Sequence, residues 1–291
     1  MSGTYLYRIS AIIYFMSHTY CINKRIAILF SLFVIFCLIY FSISSSLLTS
    51  RNALNSRAEI PKGPSVILSG YNSSFDYVLY ITLSNGTTSF TCTGVLISST
   101  RALTAKHCFD SYDGKAVNIT SMSNYYDSTS SRFADAEHKR VGSDISVVHC
   151  KDTKNCPDSS SDLTLLKINT PYNKVQKFPS YIGIPSDNYS KGTVVTVSGW
   201  GAIEVITPTP SGSEQYKFPT RQQSGSLKVS SDYPYTFRLE TRMWSKTKTR
   251  SGDSGGPIVK SDKVIGVLSE SSETQSICIR LQNYESWIKS Q

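Results

Sequence analysis

The chain has 291 residues, enough for one large domain or two small ones, and its 40% hydrophobic and 18% charged content is ordinary for a globular protein. The net charge of +9 is unevenly placed: residues 1–66 hold six Lys/Arg against one acid, which leaves 24 basic and 20 acidic residues in 67–291. A mild surplus with no long basic run reads as a solvated surface and argues against nucleic-acid binding.

The first element is an apolar run, Ile26 to Tyr40, preceded by Lys24 and Arg25 and followed by Ser42, Ser44, Ser45 and Ser46. Charge, apolar core and small residues in that order predict a signal peptide. The run continues to Ile43, which makes an uncleaved membrane anchor the alternative and a buried core helix a third. Residues 1–43 are therefore a signal peptide or anchor, and the rest of the chain is expected outside the membrane, secreted or periplasmic. The membrane is a partner only through residues 26–43, if they are retained. Residues 44–66, rich in Ser, Asn and Arg with two prolines, read as a linker or propeptide.

After residue 65 short apolar or alternating runs replace helical periodicity. Val78–Leu83, Val194–Val197 and Val264–Leu268 read as strands, so the region is predicted all-β. It contains Cys92, Cys108, Cys150, Cys156 and Cys278. No pair has Cys-x-x-Cys spacing, which argues against a structural zinc site. Cys150 and Cys156 are placed to close a small loop, which leaves Cys278 over as a buried or reactive thiol. No cofactor signature and no Ca²⁺-loop pattern is present. Asn72, Asn85, Asn118 and Asn188 lie in Asn-x-Ser/Thr sequons.

Three strings carry chemistry. Leu103-Thr104-Ala105-Lys106-His107-Cys108 supplies a histidine, Ser161-Asp162-Leu163-Thr164-Leu165-Leu166-Lys167 an aspartate, and Gly252-Asp253-Ser254-Gly255-Gly256-Pro257 a serine between glycines. A serine hydroxyl is a poor nucleophile at neutral pH and needs a base such as imidazole, itself held by a carboxylate. Each residue alone also has a bland reading: His107 as a core histidine, Asp162 as the start of a strand, Ser254 as a turn residue. The ordered set outweighs these. His138 and His149 have no motif around them and are expected on the surface.

The region resembles the chymotrypsin/trypsin-like serine proteases. Thr104-Ala105-Lys106-His107-Cys108 is similar to that family's Thr-Ala-Ala-His-Cys, and Cys92-Thr93-Gly94-Val95-Leu96-Ile97 to its Cys-Gly-Gly-x-Leu-Ile. Asp162–Ile168 is similar to Asp-Ile-Ala-Leu-Leu-Lys-Leu, Gly199-Trp200-Gly201 to Gly-Trp-Gly, and Tyr284–Lys289 to its closing helix. The resemblance covers 67–291. It implies two six-stranded antiparallel β-barrels packed together with a short C-terminal helix, and a Cys92–Cys108 disulfide. It implies a serine endopeptidase acting on protein or peptide substrates without a cofactor or metal, expected as a monomer. His107, Asp162 and Ser254 would be catalytic, with the amides of Gly252 and Ser254 as the oxyanion hole. The family's activation pair, a freed N-terminal amine on the aspartate before the serine, falls on Ile67 and Asp253, so the domain is expected to begin at Ile67. His107 and Asp162 are 55 residues apart, long for the family, which implies an insertion within 109–161.

The departures bear on specificity. Where trypsin-like members keep an aspartate six positions before the serine this chain has Lys248, and where they keep a cysteine four positions before it this chain has Arg250. The family's Ser-Trp-Gly corresponds to Ser269-Glu270-Ser271. Lys248, Thr249, Ser269, Glu270 and Ser271 are the candidate substrate-binding residues. Cleavage after Lys or Arg is disfavoured, and Lys248 pointing into the pocket would favour Glu or Asp. The alternatives from other classes are a catalytically silent binding module on the same fold and a membrane-anchored structural protein.

Overall fold

A computed structural model describes residues 71–72, 75–127, 132–133, 138–206, 215–240 and 247–291. The predicted targeting segment, the linker and Ile67 lie outside the described residues. Among the described residues no helix is long and apolar enough to cross a membrane.

Tyr71–Asn72 (β1) comes first, followed by Val78–Ser84 (β2), Ser89–Ser98 (β3), Arg101–Ala105 (β4) and Asn118–Ser123 (β5). A short hairpin, Tyr126–Asp127 (β6) with Arg132–Phe133 (β7), precedes Lys139–Val141 (β8), Ile145–His149 (β9) and Leu163–Ile168 (β10). Then come Val194–Gly199 (β11), a second hairpin Glu204–Ile206 (β12) with Gln215–Lys217 (β13), Gln223–Asp232 (β14) and Thr236–Glu240 (β15). Pro257–Lys260 (β16), Lys263–Ser271 (β17), Gln275–Arg280 (β18) and the helix Glu285–Ser290 (α1) end the chain. The three strands expected from the sequence are β2, β11 and β17, each longer than its apolar run. The closing helix is also found.

The strands form two barrel-like sheets. In the C-terminal one, β14-β11-β16-β17-β18-β15 closes on itself because β15 also pairs with β14, giving six strands, and β1 adds to its outside. The N-terminal sheet differs from the expected six-stranded barrel. It has seven strands in the order β8-β5-β2-β3-β4-β10-β9 and stays open between β8 and β9. The 3-10 turn Gly142–Asp144 joins those two strands in sequence. Both lie in the 109–161 segment where an insertion is expected.

Pleating explains why β10 reads as an apolar run rather than an alternation. Leu163 and Leu165 pack into the core cluster shared with the C-terminal barrel, whereas Leu166 and Ile168, on the opposite face, enter the N-terminal cluster. Burial of such side chains stabilises by about 1.5–3 kcal/mol each.

Among the described residues two disulfides form, Cys92–Cys108 and Cys150–Cys156. Cys278 is a free thiol, fully buried in β18, and burial pushes its pKa well up. This selects the inert alternative for that residue. Thr153, inside the Cys150–Cys156 loop, accepts a 2.8 Å hydrogen bond from the Trp287 indole, so the small loop is docked on α1. His149 is not a surface residue: it is half-buried, 2.7 Å from the Thr164 hydroxyl through Nδ1 and edge-on to Phe109.

Candidate functional site

The end of β4 and the start of β10 lie side by side, with Ala105 opposite Leu163. That register carries His107, in the 3-10 turn Lys106–Phe109, to Asp162. The carboxylate accepts from the His107 main-chain N–H through Oδ1 at 2.7 Å and meets the ring Nδ1 through Oδ2 at 2.8 Å. Ser269, near the end of β17, donates to the same Oδ2 at 2.5 Å. The Cys92–Cys108 bridge fastens the turn to β3 from the other side.

Burial would lower the His107 pKa, but the hydrogen bond and charge of Asp162 outweigh it. Asp110 and Glu270 add to the pull, and the net shift is upward from the usual 6.5. Asp162 moves the opposite way. Burial opposes its charge, yet the His107 ring, the Ser269 hydroxyl and the His107 amide bring its pKa below the ordinary carboxylate value. The geometry therefore holds a carboxylate ionised against an imidazole that accepts a proton readily.

Ser254 sits in the turn before β16 and lines the same cleft, of about 770 Å³, as His107 and Asp162. No hydrogen bond joins the Ser254 hydroxyl to His107 here. The Ser254 loop is also held by the other sheet. Thr93 of β3 donates its amide to the Ser254 carbonyl at 2.8 Å and its hydroxyl to the Gly252 carbonyl at 2.7 Å. The same hydroxyl accepts from the Trp200 amide at 3.0 Å, and Thr104 donates to the Thr93 carbonyl at 2.8 Å. Thr93 and Thr104 are both fully buried. Gly252 has φ +96°, and a Cβ there would stand 3.0 Å from both Gly201 Cα and a Phe218 ring carbon, so a side chain is excluded by backbone conformation as well as by space.

Asp253 turns away from the cleft into a pocket lined by glycines. Its carboxylate accepts from the Gly201 amide at 2.8 Å and the Arg250 amide at 2.9 Å. A Cβ on Gly199 or Gly201 would lie 2.2–2.6 Å from the carboxylate, which explains the glycines on both sides of Trp200. Burial raises the Asp253 pKa to about 7 against the pull of those two amides and the Arg250 charge. Among the described residues no cationic group lies within ion-pair distance of it. Ile67, its expected partner, is outside them.

The remaining sequence candidates separate. Ser269, Glu270, Ser271 and Thr249 line the cleft. Thr249 is buried, its hydroxyl 2.6 Å from that of Ser271 and 2.7 Å from that of Ser276, so it stitches the two walls together. Lys248 does not line the cleft. Its ammonium is 2.5 Å from the Glu273 carboxylate, which does. Sequence reasoning missed Thr93, Thr104 and Glu273. Thr93 had left a signal, since it replaces the first glycine in a motif that otherwise fits. Glu273 had none, because it belongs to a loop without a motif.

A family model described as Trypsin matches residues 68–288. Among curated proteins, Trypsin delta of Drosophila melanogaster is 28% identical over 185 residues, which are 62% of this chain and 68% of that protein. Kallikrein-2 of Homo sapiens is 26% identical over 214 residues, 68% of this chain and 78% of its own length. Two solved structures share the fold. One is neuropsin, a serine protease expressed in the limbic system of mouse brain, with a TM-score of 0.51 at 21% identity over 75% of this chain and 94% of that one. The other is the scabies mite inactivated protease paralogue S-I1, with a TM-score of 0.53 at 20% identity over 76% of this chain and 97% of that one.

Proposed function

From the premise that the chain belongs to the Trypsin family, we propose that it is a serine endopeptidase acting through Ser254, His107 and Asp162. The observation that carries this reading is the doubly bonded Asp162–His107 contact, opening on the same cleft as Ser254. Ser254 Oγ attacks the substrate carbonyl while His107 takes its proton, and Asp162 stabilises the imidazolium that forms. The amides of Gly252 and Ser254 receive the oxyanion; a donor of this kind is worth about 3–4 kcal/mol. His107 then returns the proton to the leaving amine, and water hydrolyses the acyl-enzyme by the same relay.

The mature domain of this reading is 67–291. Cleavage after Val66 frees the Ile67 amine to pair with Asp253, a buried carboxylate whose hydrogen-bond partners among the described residues are two amides. Two disulfides agree with an oxidising compartment, and residues 1–43 are assigned to export on sequence grounds. Edman sequencing of active material must begin at Ile67; any other start sinks the activation step.

A fluorophosphonate probe tests the peptidase reading itself. Labelling of the mature protein that disappears in Ser254→Ala supports it. A folded mature protein that takes no label is a silent binding module instead.

A further inference from the structure

We infer that the cleft takes an acidic substrate side chain next to the scissile bond, with Arg250 as its counter-ion. This rests on the peptidase reading and specifies its substrate class. Arg250 lies four residues before Ser254 and lines the same cleft. Its Nε is buried without a hydrogen-bond partner, and among the described residues the guanidinium forms no ion pair. A guanidinium without an ion pair on a cleft wall offers its charge to an anionic group that enters. The fixed fork of a guanidinium suits a carboxylate best.

Two of the three carboxylates that line the cleft are engaged elsewhere. Lys248 is bound to Glu273 and holds that carboxyl below its ordinary pKa. Asp162 is engaged by His107 and Ser269, while Glu270, exposed on the lining, acts on His107 only at a distance. This leaves Arg250 as the lining's cation with no direct ion pair among the described residues, its charge reaching Asp253 and Glu273 only at a distance. Around it the walls are hydroxylic, from Thr249, Ser251, Ser269, Ser271 and Ser272. Filling such a space with a large apolar side chain would strip water from hydroxyls without replacing it. A Lys or Arg side chain would meet Arg250 as a like charge.

Access for a peptide is also built in. Among the described residues, β17 beyond Leu268 pairs only with β18, through Glu270–Ile277 and Ser271–Ser276. The other side of Ser269–Ser271 is left for an extended substrate strand. A chain lying there with its carbonyl at Ser254 places the adjoining side chain between the 249–251 and 269–273 walls.

Peptides varied at the residue before the scissile bond test this on the mature, fluorophosphonate-reactive protein. A charged hydrogen bond of roughly 1.5–3 kcal/mol corresponds to about 10–150-fold in kcat/KM, the expected advantage of Asp or Glu over Ala. Arg250→Gln removes that advantage. Arg250→Lys keeps its direction, Lys248→Ala frees Glu273 and so weakens it without abolishing it, and Arg250→Glu turns the preference toward Lys and Arg. Fluorophosphonate labelling of each variant reports an intact Ser254 site, and Arg250→Lys carries the test if the Gln variant does not fold. Labelled wild type that cleaves after Arg, Phe or Ala as well as after Asp or Glu overturns the inference. So does loss of the preference in Lys248→Ala but not in Arg250→Gln. Wild type that takes no label counts against the peptidase reading instead.

Discussion

Two carboxylates beyond the Asp162–His107 pair bear on how pH acts on this protein, one through activity and one through stability. Glu270 adds to the upward shift of His107, and His107 works as a base only when neutral. Glu270→Gln therefore lowers the His107 pKa, and the acid limb of a kcat/KM–pH profile moves to lower pH. A limb that stays in place shows that the charge is screened by solvent. Asp253 concerns stability. Its folded pKa, about 7, stands above the usual 3.8, so between those values the folded state binds a proton that the unfolded chain has released. Stability consequently falls as pH rises through that window, by a few kcal/mol. The thermal midpoint of protein without a freed Ile67 amine is expected to drop from about pH 4 to about pH 7 and level off above. Asp253→Asn abolishes the drop, and cleavage after Val66 reduces it by supplying a cation. Asn85 carries a residue-scale lesson of another kind. Its sequon is intact, but its amide oxygen accepts from Thr87 and Thr88 and its amide nitrogen donates to the Tyr112 carbonyl. A nitrogen committed to the fold is a poor acceptor for a glycan.

At the scale of elements, what could be read in advance followed from local patterning. β2, β11 and β17 announced themselves as apolar runs between turn residues, and the three residues that the motifs singled out, His107, Asp162 and Ser254, line one cleft. The seventh strand of the N-terminal sheet and its open edge did not. β8 is three residues long and its one buried side chain is the charged Arg140, while β9 carries exposed residues on both faces, so they lack the hydrophobic rhythm that marks a strand. Arg250 was visible only as a missing cysteine; that it stands beside an ion pair formed by others depends on Glu273, which reaches it through the fold alone. The turn bearing His107 supplies the prediction at this scale. Its bridge to β3 closes 16 residues of sequence, and a loop of that length is worth about 3 kcal/mol. Cys92→Ala with Cys108→Ala should lower the thermal midpoint by roughly 5–12 °C for a domain of this size. A midpoint within 1–2 °C of wild type would show that packing alone fixes the turn.

For the molecule as a whole, the central fact is that one sheet holds the loop of the other. Thr93 belongs to the N-terminal sheet and grips Gly252 and Trp200 of the C-terminal half. Thr93→Val keeps the shape but strands a buried carbonyl and a buried amide, at about 1–3 kcal/mol of stability. Because that carbonyl adjoins the oxyanion amide, kcat should fall toward the roughly 10²-fold loss seen when one such donor is removed, with KM little changed. Thr93→Ser restores both. A Val variant with lowered stability and an unaltered kcat would mark Thr93 as purely structural.

Cys92 and Thr93 are consecutive, and together they make β3 a gauge block. One face of the strand is bolted to the turn of the base and the next residue is hooked to the loop of the nucleophile. Their spacing is set by the register of β3 on β2, Ile81 against Cys92 and Tyr80 against Thr93. A slip of one residue would exchange the two faces. The calibration is kept at the far end of the hairpin, where the Asn85 side chain ties down Thr87 and Thr88. Damage to that remote turn would detune the cleft without altering any residue that lines it.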